Sequence, residues 1–187
     1  TLINMYKCLA NNQTYQNEEI LMLPIRDQDK YHIMDWRNEQ IYHLRQDRKL
    51  TKLMQDTYFK KIVEPSFKEE KPAQILFSIL KDKKLVGYGG LVHIDWLNQN
   101  AEISFLMDTV LEKTSFEKYW KLFLPLLTRL AFEELEFNKI FIYSFNLRPL
   151  LYKVLDKMNF TEEARLYNHK KIENKFVDVR IHSKFKS

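Results

Sequence analysis

The residue types most capable of chemistry are few in this chain: one cysteine and five histidines among 187 residues. Cys8 has no histidine or acid near it at the spacing of a nucleophilic pair, so we expect an inert thiol. His93 ends a strand-like run beside Asp95 and Trp96, where an imidazole could serve as a base, although a structural role is the alternative. No cysteine and histidine cluster has the spacing of metal ligands, so the sequence predicts no metal site.

The net charge is +5, from 30 lysines and arginines against 25 acids. The cations are scattered among the acids and form neither a basic block nor an aromatic-basic ribonucleoprotein motif, which argues against a nucleic-acid partner. Positive charge that lines a cleft also attracts phosphorylated ligands, so the composition suits a phosphate-bearing small molecule.

Length and composition indicate one globular domain, with 45% hydrophobic and 29% charged residues. The longest apolar runs are far shorter than the roughly 20 residues that cross a bilayer. The first residues do not resemble an export signal, and a single cysteine suits a reducing compartment. We therefore expect a cytoplasmic protein with no membrane partner.

Hydrophobic spacing predicts the elements that must position the reactive side chains. A first strand precedes two amphipathic helices, and Thr51 is suited to cap the second of them. A three-stranded antiparallel meander, a long helix, a strand, a helix and two closing strands follow. Pro125 falls inside the long helix, where it should kink or break it. The predicted bounds are strand 15–25, helices 27–40 and 50–67, strands 74–80, 85–94 and 101–107, helix 115–136, strand 139–145, helix 149–157, and strands 164–172 and 176–185.

Three segments resemble motifs of one family. Residues 85–91 (LVGYGGL) contain all three glycines of the chain and look like a glycine-containing third strand. Residues 101–107 (AEISFLM) look like the strand after it, and residues 155–160 (LDKMNF) are similar to a Tyr-Glu-Lys-Leu-Gly-Phe helix end. With the order of elements, they resemble the GNAT superfamily of N-acyltransferases over roughly residues 15–185, in the branch of ribosomal-protein and amino-sugar acetyltransferases.

This resemblance implies an α/β (α+β) fold with a mixed, mostly antiparallel central sheet flanked by helices. Residues 1–187 would form a single domain with an N-terminal extension at 1–14. It also implies an acyltransferase that uses acetyl-CoA as the acyl donor. In such folds two neighbouring parallel strands splay apart, and the pantetheine arm binds the unpaired main-chain groups like an extra strand.

Comparison with the family implies that the splayed edge in this chain is formed by Phe105, Leu106 and Met107. A backbone N–H at Leu106 or nearby would also meet the developing oxyanion. The pyrophosphate is held in such relatives by a glycine-containing loop at the start of the long helix, but both glycine positions are filled here. The further cofactor-binding residues that the resemblance implies are Lys113, Thr114, Ser115, Phe116, Lys118, Asn146 and Arg148.

Direct transfer from a thioester to an amine needs a base and an acid. The resemblance gives the base role to Glu102, which would take a proton from the acceptor ammonium. The acid tyrosine of the family aligns with Leu155 here. Tyr152 lies almost one helical turn earlier and could supply the hydroxyl if it faces the same cleft; packing against the sheet is the alternative.

The acceptor is expected to bind near the first two helices. The run at Trp36 and Arg37 is similar to one in acetyltransferases of nucleotide-linked amino sugars, and arginines such as Arg45 and Arg48 favour an anionic amine. A polyamine would instead predict a ring of acids. We expect Trp36, Arg37 and His93 to bind the acceptor. Open alternatives are a protein N-terminus, another small amine, or a GNAT-like binding module with weakened CoA binding, and a homodimer is left open.

Overall fold

An eight-stranded sheet forms the centre of the structure, a computed structural model that describes residues 4–187. Its strands are β1 (Tyr15–Gln16), β2 (Leu21–Pro24), β3 (Ile75–Lys81), β4 (Lys84–Asp95), β5 (Asn100–Met107), β6 (Lys139–Phe145), β7 (Thr161–Ile172) and β8 (Lys175–Phe185). They lie in the order β1-β2-β3-β4-β5-β6-β8-β7. Every neighbouring pair is antiparallel except β5 and β6, which are parallel. The expected mixed, mostly antiparallel sheet is confirmed.

Helices cover the sheet on both faces. They are α1 (Lys30–Glu39), α2 (Lys52–Tyr58), α3 (Glu64–Ser66), α4 (Thr109–Thr114), α5 (Phe116–Arg129) and α6 (Pro149–Lys157). The larger core lies beneath α5 and α6, and a smaller one beneath α1 and α2. Thr51 caps α2 as predicted, since its hydroxyl accepts the Met54 N–H at 3.3 Å. Among residues 4–187, no helix combines the length and apolarity that a bilayer crossing requires.

Two predicted elements are wrong in detail. The single strand expected at 15–25 is a hairpin, because the Asn17 side chain accepts the N–H groups of Glu19 and Ile20 and turns the chain between β1 and β2. The helix expected at 115–136 is α5, which continues into a π turn at Leu130–Glu134. A short helix that was not predicted, α4, precedes it and is capped by Asp108 directly after β5.

Pro125 does not break the long helix. α5 continues through it to Arg129, and the residues on either side of the proline, Leu124 and Leu126, are buried in the core. Packing of this apolar face outweighs the one backbone hydrogen bond that proline removes.

The segment before β1 belongs to the core. Tyr6 is 1% exposed, and its hydroxyl both donates to the Leu76 carbonyl (2.7 Å) and accepts the Leu76 N–H (2.9 Å). Cys8 is partly buried against the same cluster, and burial raises its pKa to about 11. A thiol with so high a pKa stays protonated, so this side chain is a poor nucleophile.

Two glycines of β4 allow its neighbouring strands to approach closely. A Cβ added to Gly89 would lie 2.2 Å from the Ser104 carbonyl oxygen of β5. Gly90 has a φ of +153°, and a Cβ there would lie 2.0 Å from the Ile75 carbonyl oxygen of β3. Only glycine suits a position with both a positive φ and such a contact.

We predict that Gly90→Ala lowers the free energy of unfolding by about 3 kcal/mol, because it adds backbone strain and a clash. Urea denaturation measures the change. Gly87→Ala is the matched control, since its added Cβ would lie 2.9 Å from the Leu106 carbonyl oxygen, and its loss should be smaller. Equal losses in the two variants would contradict the assignment.

Candidate active site

The parallel strands β5 and β6 are paired only where they begin. Their partners are Asn100 with Lys139, Ala101 with Ile140, and Glu102 with Phe141. Beyond these residues each strand continues, but it is paired only with its other neighbour, β4 or β8. The two strands therefore diverge and leave a gap with backbone groups on both sides.

Alternation along β5 determines which backbone groups face this gap. The Asp108 N–H donates to the Val86 carbonyl (2.9 Å), so every second residue back from Asp108 is bonded to β4. The groups of Phe105 and Met107 consequently point to the gap. Those of Leu106 point to β4, and its side chain is buried beneath α1 and α2. The expected backbone donor is therefore Phe105 or Met107 rather than Leu106.

The same reasoning applies to β6. The Asn146 N–H donates to the Asp178 carbonyl (2.9 Å), just beyond the paired residues of β6 and β8. Counting back by twos, the backbone groups of Tyr143 and Phe145 face the gap. The Phe145 carbonyl already accepts the Tyr152 hydroxyl at 2.8 Å, so on this side the N–H groups of both residues and the Tyr143 carbonyl are left for an extended ligand.

A glutamine side chain meets the last carbonyl of β5. Gln40 is 1% exposed, and its Nε2 donates to the Met107 carbonyl at 2.9 Å. The same nitrogen lies 3.2 Å from Thr109 Oγ1, and Gln40 Oε1 lies 3.2 Å from His43 Nε2. This contact satisfies a carbonyl that would otherwise need a partner from a neighbouring strand.

The gap opens into a cavity of about 510 Å³. Both diverging strands line it, together with Trp120 of α5, Leu151 of α6 and Arg37 of α1. The cavity therefore extends through the sheet, from the face under α5 and α6 to the face under α1.

Two buried polar atoms of lining residues, Trp120 Nε1 and Ser144 Oγ, have no hydrogen-bond partner within residues 4–187. Buried polar atoms are normally satisfied by protein, water or ligand. Together with the free strand edges, they suit a ligand that carries its own amides, as the pantetheine arm of CoA does. Among the same described residues, no group of three or more acids, histidines and cysteine is arranged to hold a metal ion.

A buried carboxylate lies where the strands begin to diverge. Glu102 is the last residue of β5 that pairs with β6, and its side chain is 6% exposed. Arg45 forms an ion pair with Oε1, and His93 Nδ1 lies 2.5 Å from Oε2. The Arg45 guanidinium also lies 4.2 Å from the centroid of the Tyr143 ring. Both carboxylate oxygens are therefore engaged by cations or N–H donors.

A second buried cluster forms the wall of the cavity near α6. Arg148 donates to Glu112 Oε1 at 2.5 Å, and the two side chains are 12% and 9% exposed. His43 Nε2 lies 4.0 Å from the same oxygen. Burial, and next the positive charge of Arg148, lowers the His43 pKa to about 3, so this histidine is neutral at physiological pH.

Arg37 differs from the other arginines of the cavity. Its Nη1 donates to the Tyr88 hydroxyl (2.7 Å) and its Nε to Gln46 Oε1 (3.0 Å), both uncharged groups. The interaction with Tyr88 raises the Arg37 pKa, so the guanidinium keeps its charge. No carboxylate of residues 4–187 forms an ion pair with it. The cavity thus contains a positive charge without a negative partner.

Five of the residues expected at the site line the cavity: Arg37, His93, Glu102, Phe105 and Arg148. Tyr152 does not, since its hydroxyl donates to the Phe145 carbonyl (2.8 Å) and its ring stacks on His182 with centroids 5.2 Å apart. Trp36 is buried in the core beneath α1 and α2. These positions give no support to the acid role of Tyr152 or to acceptor binding by Trp36.

The expected phosphate-binding residues lie outside the cavity, around the junction of α4 and α5. Lys113, Thr114 and Lys118 are exposed, and Lys118 forms an ion pair with Glu19 at 2.6 Å. Phe116 packs against the core and lies beneath the Arg148 guanidinium, 5.2 Å from it. Leu106, Met107, Ser115 and Asn146 also lie outside the residues that line the cavity. Their cofactor-binding roles stay predictions.

Sequence reasoning missed several residues that line the cavity or its edge. Gln40 ends the first predicted helix and His43 follows it, and nothing in their spacing marks a site. Trp120 and Ser144 lie inside a predicted helix and a predicted strand, and only the tertiary structure shows that their side-chain polar atoms are unpaired. Arg45 carried a signal as one of several arginines after the first helix, but its pairing with Glu102 depends on the fold.

Residues 23–181 match the sequence profile of the acetyltransferase (GNAT) domain. The chain belongs to the GNAT acetyltransferase family. Enzymes of this family transfer acetyl groups from acetyl-CoA, and the chain is accordingly an acetyl-CoA-dependent N-acetyltransferase. No individual curated protein sequence matches it significantly.

Solved structures of GNAT enzymes share the fold. Spermidine N-acetyltransferase from Vibrio cholerae, in complex with CoA and spermine, has a TM-score of 0.79 and 16% identity over 91% of this chain and 97% of that one. A dodecameric structure of the Vibrio cholerae enzyme in an intermediate state has a TM-score of 0.74 and 18% identity, over 91% and 96%. At such identities the likeness shows the fold alone.

His43 gives a pH-dependent prediction. Its pKa is about 3 in the folded state against an ordinary value of 6.5, so below pH 6.5 the unfolded chain binds the proton that the folded chain excludes. The stability contribution is complete above that pH and falls as the pH decreases, by about 2 kcal/mol at pH 5. Urea denaturation between pH 7 and pH 5 should therefore show a smaller loss in His43→Gln than in the wild type. The exposed His169→Gln should behave as the wild type does, and parallel losses in all three proteins would contradict the prediction.

Proposed function

We propose that this enzyme transfers the acetyl group of acetyl-CoA directly to the primary amine of a small molecule that also carries negative charge. The observation that supports it best is the cavity that joins the free edges of β5 and β6 to the unpaired charge of Arg37. An acyl donor and an acceptor that enter from opposite faces of the sheet would meet beside Glu102. Direct transfer requires both substrates to be present together.

The donor supplies an activated acetyl group as a thioester. In this proposal the N–H groups of Phe105 and Met107 and the Phe105 carbonyl bind its extended arm, and one of the two N–H groups stabilises negative charge on the carbonyl oxygen. The unsatisfied Trp120 Nε1 and Ser144 Oγ support a polar ligand at the same gap. The residues proposed to bind the phosphates are Lys113, Thr114, Ser115, Phe116, Lys118 and Arg148, of which only Arg148 lines the cavity.

The charge of the cavity supports an anionic acceptor. Arg37, Arg45 and Arg148 line it, whereas Glu102 is the only carboxylate among its described lining residues. Such a lining repels a polycation, in contrast to the spermidine and spermine named for the Vibrio cholerae enzymes. A nucleotide-linked amino sugar combines a primary amine with phosphates and is the acceptor we propose. Location in the cytoplasm and assembly as a homodimer stay predictions.

A binding experiment tests the donor half of the proposal. Acetyl-CoA should raise the melting temperature of the wild-type protein in a concentration-dependent way, because a ligand that binds only the folded state stabilises it. Absence of stabilisation at millimolar acetyl-CoA would contradict the proposal and favour a GNAT-like module with weakened CoA binding.

Substitution of Arg37 tests the acceptor half. We predict that nucleotide-linked amino sugars are acetylated faster than spermine, and that Arg37→Gln raises the KM for the anionic acceptor about 10-fold or more, as expected for a lost charge-assisted hydrogen bond. The KM for acetyl-CoA should change little. Arg48→Gln is the matched control, because Arg48 is exposed and lies outside the cavity. Preference for spermine, or equal effects of the two substitutions, would refute an anionic acceptor.

A further inference from the structure

Glu102 is poorly placed to be the base itself. Its carboxylate is 6% exposed, and both oxygens are engaged, Oε1 by Arg45 and Oε2 by His93 Nδ1 at 2.5 Å. A proton from a substrate would have to displace one of these contacts.

His93 presents the opposite arrangement. Its side chain is 66% exposed and lines the cavity, and the contact with Glu102 uses Nδ1 only. A carboxylate can only accept a hydrogen bond, so the proton of the neutral imidazole lies on Nδ1. Nε2 consequently carries the free lone pair.

The backbone of β4 is distorted at this residue. The pairing of β4 with β5 is interrupted between Val92 and Asp95, and His93 has a φ of +47°. A left-handed conformation is uncommon for residues other than glycine, and such backbone conformations cluster at functional positions. Here the bulge places the imidazole against Glu102, the residue at which β5 and β6 begin to diverge.

We infer that His93 Nε2 is the general base that accepts the proton of the acceptor ammonium, and that Glu102 is a positioning residue that fixes the imidazole tautomer and stabilises the imidazolium. The inference rests on the proposed function and assigns a role within the same site. Arg45, which bonds the other Glu102 oxygen and lies over Tyr143, holds the carboxylate in place.

The protons and bonds of the transfer balance as follows. His93 Nε2 takes one proton from the ammonium, and the free amine forms the N–C bond to the acetyl carbon while the C–S bond breaks and its electron pair leaves on sulfur. The second proton lost by the nitrogen ends on the thiolate, and His93 returns its proton to solvent. The products are an acetylated amine, free CoA and one released proton.

Paired substitutions test this assignment. His93→Gln should lower kcat/KM for the acceptor about 100-fold or more, the usual worth of a general base, and should remove the acidic limb of the pH–rate profile. Acetyl-CoA affinity, measured by calorimetry, should not change. Because His93 is exposed, added imidazole should restore part of the activity of His93→Ala. His169→Gln is the control for a histidine on the surface.

A measurement on the free protein tests the positioning role of Glu102. The ¹⁵N shifts of the His93 ring should show the proton on Nδ1 in the wild type, and this single tautomer should be lost in Glu102→Gln, together with about 10-fold or more of kcat at unchanged acetyl-CoA affinity. Arg45 is 42% exposed, so water solvates its charge in that variant.

The outcomes separate the two claims. An active wild type whose His93→Gln variant keeps its rate and pH profile, or whose His93 proton lies on Nε2, overturns the inference and returns the base role to Glu102. A wild type that neither binds acetyl-CoA nor acetylates any amine overturns the proposed function and the inference with it.

Discussion

The parallel contact between β5 and β6 lasts for three residue pairs and then ends, and the site depends on that limit. If the strands stayed paired, the backbone groups of Phe105 and Met107 would be satisfied by β6, and no ligand could use them. Divergence instead leaves the N–H groups of both residues and the Phe105 carbonyl without a strand partner, and it opens the sheet from one face to the other. The Met107 carbonyl is the exception, because the Gln40 side chain donates to it.

The position of Glu102 links this geometry to chemistry. It is the last residue of β5 that pairs with β6, and its carboxylate contacts Arg45 and His93. Any ligand that follows the free edge toward the paired end of the strands must therefore stop beside these groups. The arginines around it are also not equivalent: Arg45 and Arg148 are paired with Glu102 and Glu112, and Arg37 bonds only neutral groups.

Much of the fold was predictable because its elements have local signals. Hydrophobic spacing located the meander β3 to β5 and the strand β6. Thr51 marked the start of α2, and the glycines of β4 marked a strand with close neighbours. The errors came from tertiary packing and from one local turn. α5 continues through Pro125 because Leu124 and Leu126 on either side of it are buried in the core. The predicted first strand is divided because the Asn17 side chain forms a turn.

The site was predictable only in part, because its details depend on packing between elements. The resemblance located Glu102, Phe105 and Arg148, which line the cavity, since they sit at positions fixed by the order of elements. It could not show that Leu106 is turned to β4, because a shift of one residue reverses the direction of every backbone group. Nor could it show that Tyr152 bonds to Phe145, since that depends on how α6 lies against β6.

Amide hydrogen exchange measured by NMR tests the central claim most directly. In the free protein, the N–H of Leu106 should be protected by β4, whereas those of Phe105 and Met107 should exchange quickly, and acetyl-CoA should slow exchange at the latter two alone. Protection of Phe105 and Met107 without ligand, or no change when acetyl-CoA is added, would show that β5 has no free edge for the donor and would contradict the account.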